Sequence, residues 1–354
     1  MIKKQYLCTL KMVEKQLKYL FCVSSHLGFS ICNHLIQVDG LNASDCVFLA
    51  TRNYQLPAHS PAYDVIETEL NSSATSGRLF AGWRICRTYK NLRWLDDLIK
   101  AHVGESDFYY YTQGCDNDLC SAFVTNPQCK GYYIIEDGSG SYRKEEIYAF
   151  TGWKSLFVKC ILRPLFPRIF TLKEKMIEVE HPKFRGCIAT NPMCFPMHKD
   201  VTRVIGLPFQ PIPLDVAPQA MISLDPYNRW IADEQVQQVF QQLGAFINAK
   251  HYKRIVYKPH PYLLTIENRA RYLSYNKWIH EYIDADLVEL GADVSLENTL
   301  MAHPDCEFYT AFSSVAIYAK AMGIHCYTFA PLLRQYCTLS VPIVEEMCTP
   351  INPD

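Results

Sequence analysis

The sequence predicts an α/β protein of two Rossmann-like domains facing a central cleft, on three observations. Short β-branched and aromatic runs alternate with helix-like runs along the chain. A stretch from Pro208 to Pro218, with four prolines in eleven residues, interrupts that rhythm near the middle. The 354 residues, 49% of them hydrophobic, suffice for two separate cores. The expected split is a first domain over 1–210 and a second over 211–354.

In the first half, Tyr19–Val23 has the composition of a strand, and Ser24 to Gly28 open a helix that runs through Leu35. Cys46–Ala50, Phe108–Tyr111 and Tyr132–Ile135 are further strands, the last ending at Glu136-Asp137-Gly138. After the prolines, Ala220–Leu224 is a strand. A helix over Ile231 to Asn248 places Val236, Val239, Phe240, Leu243, Phe246 and Ile247 on one face. Arg254–Lys258 is a strand that runs into a Pro-His-Pro loop. Asp305–Thr310 is another, and Val315–Met322 a helix stopped by Gly323.

Composition excludes several classes. Net charge is −1, from 35 Lys+Arg against 36 Asp+Glu, so no global field favours nucleic acid. The 15 cysteines are scattered, and the nearest pair, Cys115 and Cys120, is not a Cys-x-x-Cys, so no zinc or other metal site is expected. They fit reduced, buried thiols of a cytoplasmic protein. Lysines interrupt the apolar residues of Met1 to Leu20, unlike a signal peptide, and no apolar run reaches about 18 residues.

Four places carry chemistry. His260 lies between Pro259 and Pro261 at the end of a strand, where an open α/β sheet forms its ligand crevice. A stiffened imidazole there can donate to a phosphate or move a proton. Glu136 and Asp137 end another strand before Gly138, and of two adjacent carboxylates at most one faces the crevice, where it can serve as a general base. Ser313 and Ser314 add two hydroxyls to the unpaired N–H groups at a helix start, a phosphate site that needs no metal. Glu297, in a preceding helix start, can accept from both hydroxyls of a ribose. Taken singly, each has a plainer explanation: a capped turn, a solvated carboxylate, an ordinary N-cap.

Together they resemble a known family. Asp/Glu-Asp/Glu-Gly, then His-Pro, then Ser-Ser is the ordered signature of bacterial sialyltransferases of the lipooligosaccharide, capsule polysialyltransferase and marine types, matched here by Glu136-Asp137-Gly138, His260-Pro261 and Ser313-Ser314. Two α/β domains joined by a proline-rich hinge likewise resemble the GT-B architecture of nucleotide-sugar transferases. The resemblance implies an inverting, metal-independent transfer from CMP-sialic acid to a galactose- or sialic-acid-terminated surface glycan, with no cofactor. It makes Asp137 the general base and His260 the group on the leaving phosphate. Ser313 and Ser314 would hold that phosphate, with Pro261 stiffening the loop, Lys258 adding charge and Glu297 on the cytidine ribose. Ser25 and His26 stand where relatives carry Thr-Pro or Ser-Pro before the first helix. The chemical match there is poor, and they are kept as acceptor-side or turn residues.

Transferases using CMP-Kdo or CDP-glycerol share the His-Pro and Ser-Ser arrangement and are the alternative; the acidic turn favours sialic acid. A non-catalytic nucleotide-binding scaffold would bind CMP without transfer, and a Ser-His-Asp hydrolase lacks its Gly-x-Ser-x-Gly elbow. From Trp153 to Met176, Lys154, Lys159, Arg163, Arg168, Lys173 and Lys175 are interleaved with Trp153, Leu156, Phe157, Val158, Ile161, Leu162, Leu165, Phe166 and Phe170. That mixture suits an anionic membrane surface and a peripheral position at the cytoplasmic face, although its apolar side can equally be core.

Overall fold

The computed structural model describes residues 17–353, apart from 52–53, 58–59, 69–81, 114–117, 144–159, 171–179 and 292. Most of the Met1–Leu20 segment, Cys115 and the greater part of Trp153–Met176 lie outside the described residues.

The chain divides into two compact units. The first runs to Glu136 and takes later segments ending at Ala189 and Val204; the second takes the segment opening at Asp137, then Thr190–Pro196, then Ile205 onward. In the first unit, β1 (Leu17–Val23), β2 (Cys46–Ala50), β3 (Asp64–Glu67), β4 (Asp107–Thr112), β5 (Cys129–Ile135), β6 (Phe184–Ala189) and β7 (Thr202–Val204) pair in the order β3-β2-β1-β4-β5-β6-β7. Helices α1 (His26–Val38), α2 (Gly82–His102) and α3 (Asp118–Val124) connect them. Every pairing is parallel. β2 is buried at all five positions, the continuous apolar run of a parallel strand covered on both faces.

The second unit has β8 (Ala220–Leu224), β9 (Arg254–Pro259), β10 (Asp286–Glu289), β11 (Glu307–Thr310), β12 (His325–Thr328) and β13 (Thr349–Pro350) in the order β10-β9-β8-β11-β12-β13, again all parallel. Its helices are α4 (Asp233–Asn248), α5 (Arg269–Tyr282), α6 (Leu296–Ala302), α7 (Val315–Ala321), α8 (Ala330–Leu333) and α9 (Pro342–Met347). The α4 stripe expected from its spacing is buried at Val236, Val239, Phe240, Leu243 and Ile247, against Tyr227, Tyr275 and Ile279. The proline-rich stretch is bound to this unit. Gln210 and Ile212 donate their N–H groups to the Asn298 side chain and carbonyl, Leu214 donates to His303 Nε2, and Phe209 packs edge-on against Tyr318.

At the amino edge of the second sheet, one carboxylate gathers a polar cluster. Glu307 accepts from the hydroxyls of Tyr252, Tyr309 (3.1 Å) and Tyr327 (3.3 Å), and Lys250 stands 3.6 Å away, donating to Tyr327 at 2.7 Å. The opposite, carboxyl edge is left to the loops. No helix among the described residues is long and apolar enough to cross a membrane.

Gly244 lets α4 lie against the end of α5, because a Cβ there would run into the Tyr282 carbonyl oxygen, which is backbone and cannot swing aside. Gly244→Ala is expected to destabilise the protein by about 2 kcal/mol, read from urea unfolding midpoints at constant m-value. A change within about 0.5 kcal/mol would contradict that packing.

Candidate active site

In the second sheet the chain steps from β8 to β9 to β10 on one side, then crosses to place β11 on the other side of β8. Ligand crevices of open α/β sheets form at such a reversal, outside the carboxyl ends of the strands. Three adjacent strands end there: β8 at Leu224-Asp225, β9 at Pro259-His260, and β11 at Thr310, followed by Ala311 to Ser314. The register Leu224↔Pro259 sets the first two loops at one level.

His260 is held by its backbone N–H on Leu224 O at 2.8 Å, and it caps the following turn. Its Nδ1 accepts the Tyr262 N–H at 3.1 Å, which leaves Nε2 as the protonated nitrogen. Partial burial, and secondarily the charge of Arg229, hold the imidazole below its usual range, so at neutral pH it is an uncharged donor. Two residues earlier, the Lys258 ammonium donates to the carbonyls of Gly291 (2.8 Å) and Val294 (2.5 Å). Desolvation lowers its pKa, opposed by nearby carboxylates, of which Glu297 is the largest influence. Glu297 lies in the first turn of α6 and accepts from the Ser295 hydroxyl at 2.8 Å. The structure therefore brings Lys258 and Glu297 together and turns the lysine toward backbone carbonyls.

The Ser-Ser pair sits on a fixed loop. Phe312 N–H donates to Asp225 at 3.3 Å and Ser313 N–H to the Thr310 hydroxyl at 3.0 Å, which itself accepts from Ser223 at 2.7 Å. Ser313 Oγ accepts from Val315 N–H at 3.3 Å, an ordinary capping role. The Ser314 hydroxyl makes no cap bond. Gly138 approaches this pair closely: a Cβ at 138 would stand 2.7 Å from Ser314 Oγ, and φ there is +50°. Both demands, a left-handed backbone and no side chain, require glycine. Asp137, exposed, precedes Gly138 in that turn and belongs to the same unit as the Ser-Ser loop. Its backbone N–H donates to Ser141 Oγ at 2.7 Å. Glu136 is fully buried and Asp137 is exposed, so of the two carboxylates Asp137 is the accessible one.

In the first unit the order of strands reverses between β1 and β4, and there Ser24 Oγ donates to Gln113 Oε1 at 3.0 Å. Ser25 accepts from Gly28 N–H at 3.2 Å, the capping role that its poor motif match leaves open. His26 stacks edge-on against Tyr54, with its Nδ1 3.2 Å from the phenol oxygen. Gln113, which also donates to the Glu136 carbonyl at 3.4 Å, carries no motif and was not foreseen from sequence. Nor were Asp225 and Arg229. For Asp225 a signal existed, an acid before proline at the end of a buried strand; a lone arginine in a loop gives none. Of the basic apolar segment, Leu162 and Phe166 are core, whereas Ile161 and Leu165 are 41% and 56% exposed. Arg168 pairs with Asp96.

Two parallel α/β units of seven and six strands fit the GT-B fold. No protein-family profile and no curated protein matches the sequence. Solved structures match over nearly the whole chain. A sialyltransferase from Photobacterium damsela aligns at 11% identity over 96% of this chain and 81% of its own, TM-score 0.53. Os79 from O. sativa, solved in complex with U2F and trichothecene, aligns at 11% over 96% and 87%, TM-score 0.52. A putative UDP-N-acetylglucosamine 2-epimerase from Listeria monocytogenes aligns at 11% over 93% and 82%, TM-score 0.50. At such identity the likeness is one of fold.

Gly138→Ala is expected to cost about 1–2 kcal/mol in backbone strain and to displace the Ser314 hydroxyl. Calorimetric unfolding with a parallel nucleotide titration checks it, and unchanged stability would refute the strained turn. Burial pushes the Asp225 carboxyl up to about 7. Between the unfolded value of about 4 and that folded value, the unfolded chain ionises first, so stability falls as pH rises through that window and levels off above it. In Asp225→Asn that fall should vanish, leaving the variant more stable than the parent at pH 8 but not at pH 4. Parallel stability curves for the two proteins would exclude a buried ionising group at 225.

Proposed function

We propose that the protein is an inverting glycosyltransferase that moves sialic acid from CMP-sialic acid to a hydroxyl of a bacterial surface glycan. The observation that supports it most is the approach of Gly138 to Ser314: two motifs far apart in sequence meet in one unit. The exposed Asp137 precedes that glycine, and the serine hydroxyls are suited to a phosphate. Asp137 takes the proton of the acceptor hydroxyl as its oxygen bonds to the anomeric carbon. The bond from that carbon to the phosphate oxygen breaks, and the electron pair leaves with CMP. Ser314, Ser313 and the Nε2–H of His260 donate to the oxygens on which charge develops. Glu297, fixed by Ser295, takes the ribose hydroxyls, and Ser25 and His26 serve the acceptor side. Pro261 holds the His260 loop without a backbone donor of its own. No resident metal or cofactor is part of this chemistry, and the enzyme works peripherally at the cytoplasmic face of the membrane.

A screen of CMP-sialic acid, CMP-Kdo, CDP-glycerol and UDP-sugars against glycan acceptors, read by mass spectrometry, tests the donor. Product from another donor alone replaces sialic acid by that sugar, and CMP binding without turnover of any donor favours a scaffold. With the active donor, Asp137→Asn should lower kcat by about a hundredfold or more while CMP affinity stays within about twofold. Full turnover in that variant would remove Asp137 as the base.

A further inference from the structure

The neutral donors at the donor site leave one requirement unmet. A departing nucleoside monophosphate gains negative charge, and hydroxyls and an uncharged imidazole bring none to offset it. Lys258 is turned onto the Gly291 and Val294 carbonyls. The geometry near His260 contains another cation. Arg229 lies in the loop after β8, which pairs with the strand that ends at His260. Its guanidinium carbon is 5.2 Å from the centroid of the Tyr262 ring and 6.0 Å from that of Trp230. Tyr262 is also the residue whose N–H fixes His260 Nδ1, so one residue positions both groups. Among the described residues the Arg229 guanidinium forms no hydrogen bond or ion pair; only its backbone N–H is engaged, on Pro226 O at 3.1 Å. Its neighbour in charge, Arg271, is committed to Asn268 at 3.2 Å and, with the Asn228 amide oriented to suit, to Asn228. A guanidinium resting on aromatic faces keeps its five in-plane donors available.

We propose that Arg229 is the cation of the phosphate site, binding the donor's phosphate beside His260 with its uncommitted N–H groups. The inference rests on the reading that the second unit takes a nucleotide-activated donor. It adds a residue that no motif marks. Its position also adds to the effect of burial on His260, since a neighbouring positive charge disfavours imidazolium. Charge and proton donation are thereby divided between two side chains.

The full chain, Arg229→Gln and Arg229→Lys are titrated with pyrophosphate, CMP and cytidine at fixed ionic strength, with the His260 imidazole followed by NMR. Arg229 is exposed, so the variants should fold as the parent does. Arg229→Gln is expected to weaken pyrophosphate and CMP by about tenfold or more, to leave cytidine within about twofold, and to raise the His260 pKa. Arg229→Lys should recover part of the loss. Undiminished pyrophosphate binding in Arg229→Gln, no pyrophosphate binding by the parent, or an equal loss for cytidine would each overturn the assignment. If the parent binds pyrophosphate through Arg229 but neither CMP nor cytidine, the assignment stands and the cytidine-nucleotide donor falls.

Discussion

The parallel ladder of β9, β8 and β11 is the constraint on which the candidate site of the second unit depends. Parallel pairing makes neighbouring strands end at the same edge, and the hydrogen bonds at Leu224↔Pro259 and Tyr309↔Ile222 fix their levels. Slipping one strand by a residue would send Ser223, which braces Thr310 and through it Ser313, to the other face. Residues from widely separated parts of the chain therefore face one another with no direct interaction required to gather them. The side chains then need only short-range adjustments: a cap on His260, a buried acid behind Phe312, a missing Cβ at 138.

Those adjustments sort the groups by charge. His260 is kept neutral with its proton on the outward nitrogen, and Lys258 is spent on carbonyls where the chain turns toward Glu297. Asp225 sits behind the Ser-Ser loop as an acid whose ionisation burial opposes. The Arg229 guanidinium at this edge, unlike the Lys258 ammonium, is not spent on backbone carbonyls, and it stays protonated at any pH the fold tolerates.

Much of the fold was legible because long, strongly patterned elements dominate it. β2 and β8 are where the apolar runs Cys46–Ala50 and Ala220–Leu224 placed them, and α4 buries the stripe its spacing marked. Six strands escaped: β3 and β10, Asp-Val-Ile-Glu and Asp-Leu-Val-Glu, are apolar only at their centres, β7, β12 and β13 are two to four residues long, and β6 is interrupted by Arg185 and Gly186. The candidate site divides the same way. His260 and the acidic turn stood out because proline and glycine leave marks in a sequence. Arg229 and Gln113 did not, because their positions come from strand order, which no local pattern encodes. The binding of the proline-rich stretch along α6 was equally hidden, since it depends on where Asn298 and His303 are displayed.

The cluster around Glu307 has a consequence for change over evolutionary time. It secures the sheet at the end remote from the loops, with tyrosines and a lysine whose partners all lie near that edge. Segments at the other end can be lengthened, shortened or exchanged while this anchorage persists. A scaffold fastened at one rim is free to acquire new substrates at the other, and directed libraries confined to the loops after β8, β9 and β11 would sample specificity at little risk to folding.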